Sequence, residues 1–454
     1  VQTEHGFRIY AKGAAEVMLK RCTQILQNVA SDASSTAITS EHMIHLNRNI
    51  ENFATRSLRT IALLYRDLQS LPCHAAGTMN EFLKTGFDDL FKDMTLLAIV
   101  GIRDPLREGV KASVARCQAA GITVRMVTGD NLLTAKAIAR ECGILTDDDL
   151  VMDGQDFRKL GVVEMNRIIP RLQVLARSSP EGKKILVKAL QELGEVVAVT
   201  GDGTNDAPAL RTADVGFSMG LTGTEVAKEA SDIVLMDDNF SSIVKAVMWG
   251  RAVNDAVRKF LQFQITVNIA AVILTFVSAV ASDTETSVLT AVQLLWVNLI
   301  MDTMGALASA TDPPAESILD RKPDPRSSPL ITVTMWKMIL AQSIYKLVVL
   351  LIIHFGGDAI FSYHSEGERA QLRTMVFNTF VWMQIFNQYN NRRIDNNLNI
   401  FEGITRNWLF IGINLSMVVG QVIIILIGGR ALQVVRLNGA QWGYSIVLGF
   451  LSIT

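Results

Sequence analysis

Sulfur and imidazole are scarce in this chain, with four cysteines and six histidines in 454 residues. The cysteines are Cys22, Cys73, Cys117 and Cys142. Their spacing matches no zinc pattern, and four thiols over so long a segment do not make a disulfide framework. They read as small buried core residues of a reducing compartment. An excess of one charge is also lacking. Lys and Arg number 43 against 44 Asp and Glu, a formal net charge of -1. That excludes a strongly basic nucleic-acid binder and an acidic tail protein. No signal peptide is visible. The first residue is Val1 rather than Met, so the sequence reads as a piece of something longer.

Charge of either sign is sparse at 19%, against 49% hydrophobic residues and a mean hydropathy of +0.27. The sparseness is not uniform. Residues 1–261 hold 31 basic and 32 acidic residues, whereas residues 262–454 hold 12 of each. One soluble globule does not divide this way, so the expectation is a soluble front half joined to a membrane back half.

No charged residue lies between Phe260 and Ser282. As a helix that stretch is about 34 Å long, enough for a bilayer core of about 30 Å. Further spans are expected at about Thr286–Thr311, Met338–Gly357, Thr374–Asn391 and Asn407–Gly429. A sixth starts at Leu437 and is still apolar at Thr454. Arg258, Lys259, Arg321, Lys322, Arg326, Lys337, Arg392, Arg393 and Arg406 fall on one side of these spans. Arg369, Arg373, Arg430 and Arg436 fall on the other. The bias places the front half in the cytosol.

The second span carries Asn298 and Asp302, four residues apart and so expected on one helix face. An acid at membrane depth marks an ion or proton path, or else a structural carboxylate paired with Lys346 or capping a broken helix. Gly305, Ala306, Ala308 and Ser309 follow it and allow close helix approach or unwinding. Asn268 in the first span is either a ligand or interhelical glue. These donors are hard oxygens, which suit Ca²⁺, Na⁺ or K⁺ and not zinc or copper.

In the front half, short β-branched runs alternate with helical patterns. The runs 96–102, 122–127, 196–199, 215–219 and 233–236 read as strands, with helices at Arg107–Ala120 and Leu133–Cys142. Gly121 and Gly143 sit like helix C-caps. The alternation predicts a parallel sheet covered by helices on both faces, with a ligand site at the carboxyl ends of its strands. Polar motifs stand at those ends: Arg103-Asp104-Pro105, Thr128-Gly129-Asp130, and Thr200-Gly201-Asp202-Gly203-Thr204-Asn205-Asp206. Gly201 and Gly203 permit tight turns against a ligand. Asp202 and Asp206 crowd two carboxylates into one turn, which a divalent cation would neutralise. Thr128 and the adjacent N–H groups would form a phosphate-sized nest, and Lys183 would bring positive charge to a phosphoryl group. Together these predict Mg²⁺-dependent phosphoryl transfer.

The string T-G-D-G-T-N-D-A-P-A-L at 200–210 resembles the hinge motif of P-type cation ATPases. V-T-G-D at 127–130, D-P-L-R at 104–107 and A-K-G-A at 11–14 match further motifs of that family in its order. The resemblance covers essentially the whole chain. It implies the remainder of an α+β nucleotide-binding domain over 1–100 and an α/β haloacid-dehalogenase-like phosphorylation domain over 101–250. An all-α bundle of six spans, the last cut short, follows over 251–454. L-L-W-V-N-L-I-M-D followed by T-D-P-P is similar to calcium pumps of the plasma-membrane type.

By that resemblance Lys12, Arg59, Thr128, Gly129, Asp130, Arg177, Lys183 and Asn205 would surround ATP. Asp202 would hold Mg²⁺, Thr128, Lys183, Asp202 and Asp206 would serve catalysis, and Asn298 and Asp302 would hold Ca²⁺. Two-site pumps carry ligands where this chain has Ala271, Met301 and Gln384, which implies one Ca²⁺ per cycle. The family's D-K-T-G-T, T-G-E and P-E-G-L-P strings do not occur in this sequence. Without the aspartyl nucleophile the chain is expected to be inactive alone. The implied partners are a lipid bilayer, ATP and Ca²⁺, with no nucleic acid. The resemblance leaves open a calmodulin-type regulator and the choice between plasma and vacuolar membrane. A pump for another cation, a phosphatase on a membrane anchor, and a non-catalytic nucleotide- or Ca²⁺-binding membrane module are the alternative readings.

Overall fold

The computed structural model describes residues 1–3, 6–27, 34–69, 91–281, 287–314, 316–393, 401 and 403–453. Cys73 lies outside them. Two compact units emerge, Val1–Val244 with Arg321–Arg326, and Lys245–Asp320 with Ser327–Thr454.

The described residues of the first unit form three sheets. A six-stranded sheet has the spatial order Gln2–Thr3, Gly6–Ala14, Leu58–Leu68, Met94–Arg103, Cys22–Leu26 and Ser35–Ala37. Leu58–Leu68 is antiparallel to both neighbours, and Met94–Arg103 runs parallel to Cys22–Leu26. Ala15, Leu19, Ile50, Ala62, Leu64, Met94 and Leu96 form its core. Two three-stranded parallel sheets follow. In one, Leu172–Ala176 lies between Met126–Val127 and Leu150–Asp153. In the other, Val215–Met219 lies between Ala198–Gly201 and Ile233–Leu235.

This corrects the expectation of one parallel sheet. The run 96–102 belongs to the mixed sheet, and the other four runs are divided between two sheets. Periodicity identifies a strand, but pairing partners far along the chain choose its sheet. The described helices Val110–Ala119 and Leu132–Cys142 sit where the pattern placed them. Gly121 and Gly143 adopt left-handed φ of 76° and 77°, closing both C-termini as expected. Cys117 and Cys142 are buried and Cys22 is half-buried. Burial pushes the Cys22 thiol up to about 11, so it stays protonated at neutral pH.

The second unit is helical. Its longer described helices are Ser241–Val280 (which begins within the first unit), Ala291–Ala310, Val333–Phe361, Glu366–Asn390, Trp408–Ile427 and Gly439–Phe450. Side-chain oxygens of Thr290, Thr332, Ser365, Asn407 and Asn438 accept from free N–H groups at five helix starts. Four of the helices are long and apolar enough to cross a membrane by length and composition. Glu366–Asn390 is not among these four; Asn378, Gln384, Asn387, Gln388 and Asn390 line its buried surface. Gly439–Phe450 has only 12 residues.

Candidate functional site

In the first unit, the motif residues gather where parallel strands end. Met126–Val127 and Ala198–Gly201 are edge strands of their respective sheets, and each leads straight into a motif turn. Thr128 donates its backbone N–H to the Leu175 carbonyl, extending the ladder by one bond. Its hydroxyl donates to Asp130 Oδ2 at 3.0 Å and accepts the Asp130 N–H at 3.1 Å. Arg59, on Leu58–Leu68, donates to the same Oδ2 at 3.1 Å. The Arg177 N–H donates to the Asp130 carbonyl. Arg177 has a left-handed φ of 47°, and its guanidinium pairs with Glu16 at 2.8 Å. Arg59, Thr128, Asp130 and Arg177 are therefore one connected group. The Thr128 hydroxyl is turned toward Asp130 rather than into an open nest.

In the second turn, Lys183 pairs with Asp206 Oδ1 at 2.5 Å, and the Gly203 N–H donates to Asp206 Oδ2 at 3.1 Å. A Cβ on Gly201 would lie 2.5 Å from the Asp206 Cβ, so this turn accepts only glycine there. Lys12, Asp202 and Asn205 are exposed. Among the described residues no group of three or more His, Cys, Asp or Glu forms a metal cluster. An exposed Asp202 at a strand end still fits Mg²⁺, which takes one or two carboxylates and fills its remaining positions with water and substrate phosphates. Glu16, the partner of Arg177, was not singled out by the sequence reading. It lies two residues beyond A-K-G-A but belongs to no motif of its own.

The second unit holds a buried polar group among apolar helices. Asp302 is 3% exposed and Lys346 is fully buried. Gln264 donates to Asp302 Oδ2 at 2.8 Å, and Lys346 donates to Gln384 Oε1 at 3.1 Å. Asp302 Oδ1, Gln264 Oε1, Gln388 Oε1 and Asn387 Oδ1 are buried without a hydrogen-bond partner. Gln388 stands against Gly305, three residues past Asp302. Unpartnered buried oxygens are costly, and a hard cation would satisfy them.

The expected common face of Asn298 and Asp302 is not found: Asn298 is exposed while Asp302 is buried. A π-helical stretch, Trp296–Met301, runs between them. Its i→i+5 ladder breaks the regular spacing on which a shared face depends. Asn268 is exposed too. Ala271 and Met301 are buried in the apolar core. Gln264, one turn before Asn268, is the residue the sequence reading passed over.

Residues 1–109 match the P-type ATPase cytoplasmic domain N, and residues 286–454 match the cation transporting ATPase C-terminus. The chain belongs to the P-type cation ATPases. It is 55% identical to "Calcium-transporting ATPase 2" of Cryptococcus neoformans var. grubii, over 100% of this chain and 32% of that relative. It is 56% identical to the protein of the same name in Schizosaccharomyces pombe, over 97% of this chain and 34% of that relative. Identity to human "Plasma membrane calcium-transporting ATPase 4" is 47%, over 98% of this chain and 36% of that relative. This P-type ATPase chain thus spans about a third of the length of these curated relatives.

Proposed function

We propose that this chain carries the ion-binding and part of the phosphoryl-transfer machinery of an ATP-driven pump that moves one Ca²⁺ per cycle out of the cytosol. The observation that carries the reading is Asp302: a buried carboxylate with one oxygen unpartnered, in a helical unit that also buries orphaned amide oxygens of Gln264, Asn387 and Gln388. The relatives' names supply the cation. The six helices would cross a plasma or vacuolar membrane, with the first unit in the cytosol.

In that unit Lys12, Arg59, Gly129, Asp130, Arg177 and Asn205 would hold ATP, the cations neutralising its phosphates. Thr128 would orient the transferred group, and Lys183 would screen its charge while Asp206 fixes the Lys183 ammonium. Asp202 would hold Mg²⁺, which when bound neutralises charge on the phosphoryl oxygens. A further parallel strand joining the free edges of Met126–Val127 and Ala198–Gly201 would merge the two sheets into a haloacid-dehalogenase-like whole. Phosphorylation of an aspartate on such a strand would bias the bundle between two states, one open to each side. Asp302 would release its cargo in the second state.

The test is Ca²⁺-dependent phosphoenzyme formation from ATP by the full-length protein containing this chain. Asp302→Ala should abolish it. Unchanged Ca²⁺ dependence would sink the site assignment.

A further inference from the structure

We propose that Lys346 is a tethered cation that takes the second positive-ion position beside Asp302, limiting this cluster to one divalent ion and lowering its affinity for that ion. The inference rests on the reading of Asp302 as the Ca²⁺ site. Lys346 is one of the largest fully buried side chains, and no other Lys, Arg, Asp or Glu lies between Met338 and Gly357 of its helix, Val333–Phe361. A buried ammonium at this depth is costly and is retained where another group compensates it. Two groups do so here. The Gln384 carbonyl oxygen accepts from its Nζ at 3.1 Å, and Asp302 supplies a carboxylate nearby, since Gln388, one turn past Gln384, stands against Gly305, three residues past Asp302.

Both compensating groups are also groups a metal ion would use. While Lys346 holds Gln384 Oε1, that oxygen is withdrawn from any ion. The ammonium also adds a like charge to any cation entering against Asp302, in surroundings of low dielectric where repulsion is strong. The orphaned oxygens of Asp302 and Gln264 face that competition. Among the described residues the cluster holds one carboxylate and one ammonium, formally neutral before an ion arrives. One divalent ion makes it doubly positive, and a second would double that charge again against the same single acid.

The experiment is equilibrium binding of radiolabelled Ca²⁺ to the full-length protein containing this chain in phosphatidylcholine nanodiscs, read as affinity and as ions bound per protein. The wild type should bind one ion. Lys346→Gln should tighten binding about tenfold, as expected when a like charge leaves a buried site. Lys346→Arg, which keeps the charge, should stay near the wild-type affinity. Gln384→Glu offers the cluster a second acid without touching Lys346. With Lys346 present it should still bind one ion, and with Lys346→Gln added it should bind two.

Two ions per chain in the Gln384→Glu variant, or unchanged affinity in folded Lys346→Gln, would overturn the proposal. The Gln384→Glu arm decides the matter even if Lys346→Gln does not fold. Asp302→Asn separates the two readings. If it binds Ca²⁺ as the wild type does, the site itself is misplaced. If it loses Ca²⁺ while the Lys346 variants behave as wild type, the site stands and the role of Lys346 does not.

Discussion

Lys183 and Asp206 meet at 2.5 Å with side chains only 18% and 15% exposed. The second Asp206 oxygen takes the Gly203 N–H, so one carboxylate closes the turn and anchors the cation beside it. Lys183→Met leaves that carboxylate half-buried with its charge unpaired. We expect a loss of about 1–3 kcal/mol, the range for stranding a buried polar partner. Thermal melts of the first unit's signal would show it, with faster hydrogen exchange at residues 201–206. A melt unchanged from wild type would mean the pair is only a solvated surface contact.

Gly201 is required by that same carboxylate. Its added Cβ would lie 2.5 Å from the Asp206 Cβ and 2.8 Å from Cγ. Gly201→Ala should therefore cost about 1–3 kcal/mol by overpacking. Gly129→Ala is the control, because nothing lies within 4 Å of its added Cβ. Equal melting temperatures for the two variants would refute the steric argument.

Gly305 has the corresponding role in the helical unit. Its Cβ would meet Gln388 Nε2 at 2.7 Å and the ring of Phe263, itself 2% exposed, at 2.9 Å. Gly305→Ala should push these helices apart and destabilise the bundle by about 1–3 kcal/mol. Gly412→Ala, with open space around it, should leave detergent thermostability unchanged.

Asp238 gives the first unit a pH dependence. Burial alone would raise its carboxyl. The N–H groups of Leu221 and Thr222, at 2.9 and 2.8 Å, outweigh burial and hold it below the ordinary value. Arg107 fixes the same turn by donating to the Asp238 carbonyl. A depressed carboxyl contributes stability that is complete above its unfolded value of about 3.9 and is lost as pH falls through the folded value. Asp238→Asn should melt lower at pH 7 and lose less on acidification below about pH 4. Parallel pH profiles for the two proteins would contradict this.

Much was legible from local chemistry. The uncharged run that starts at Phe260 is helical through Val280, the end of one continuous helix, Ser241–Val280, because helix formation and apolar length are both properties of neighbouring residues. Gly121 and Gly143 announced two helix ends for the same reason. The strands at 198–201, 215–219 and 233–235 were also readable, but their grouping was not, since 96–102 carries the same pattern and pairs elsewhere.

The sequence by itself determined the two-part character of this protein, the turns that hold Asp202 and Asp206, and the presence of one acid in an apolar span. Tertiary structure alone decided what surrounds that acid. Gln264, Asp302, Lys346 and Gln384 come from four helices, and Gln264 and Gln384 stand 120 positions apart along the chain. Packing pairs Gln264 with Asp302 and Lys346 with Gln384, and across a π-helical stretch Asp302 is buried while Asn298 is exposed. Spacing along a chain records which residues share an element. It does not record which elements meet, and the charge balance of a buried site depends on that meeting.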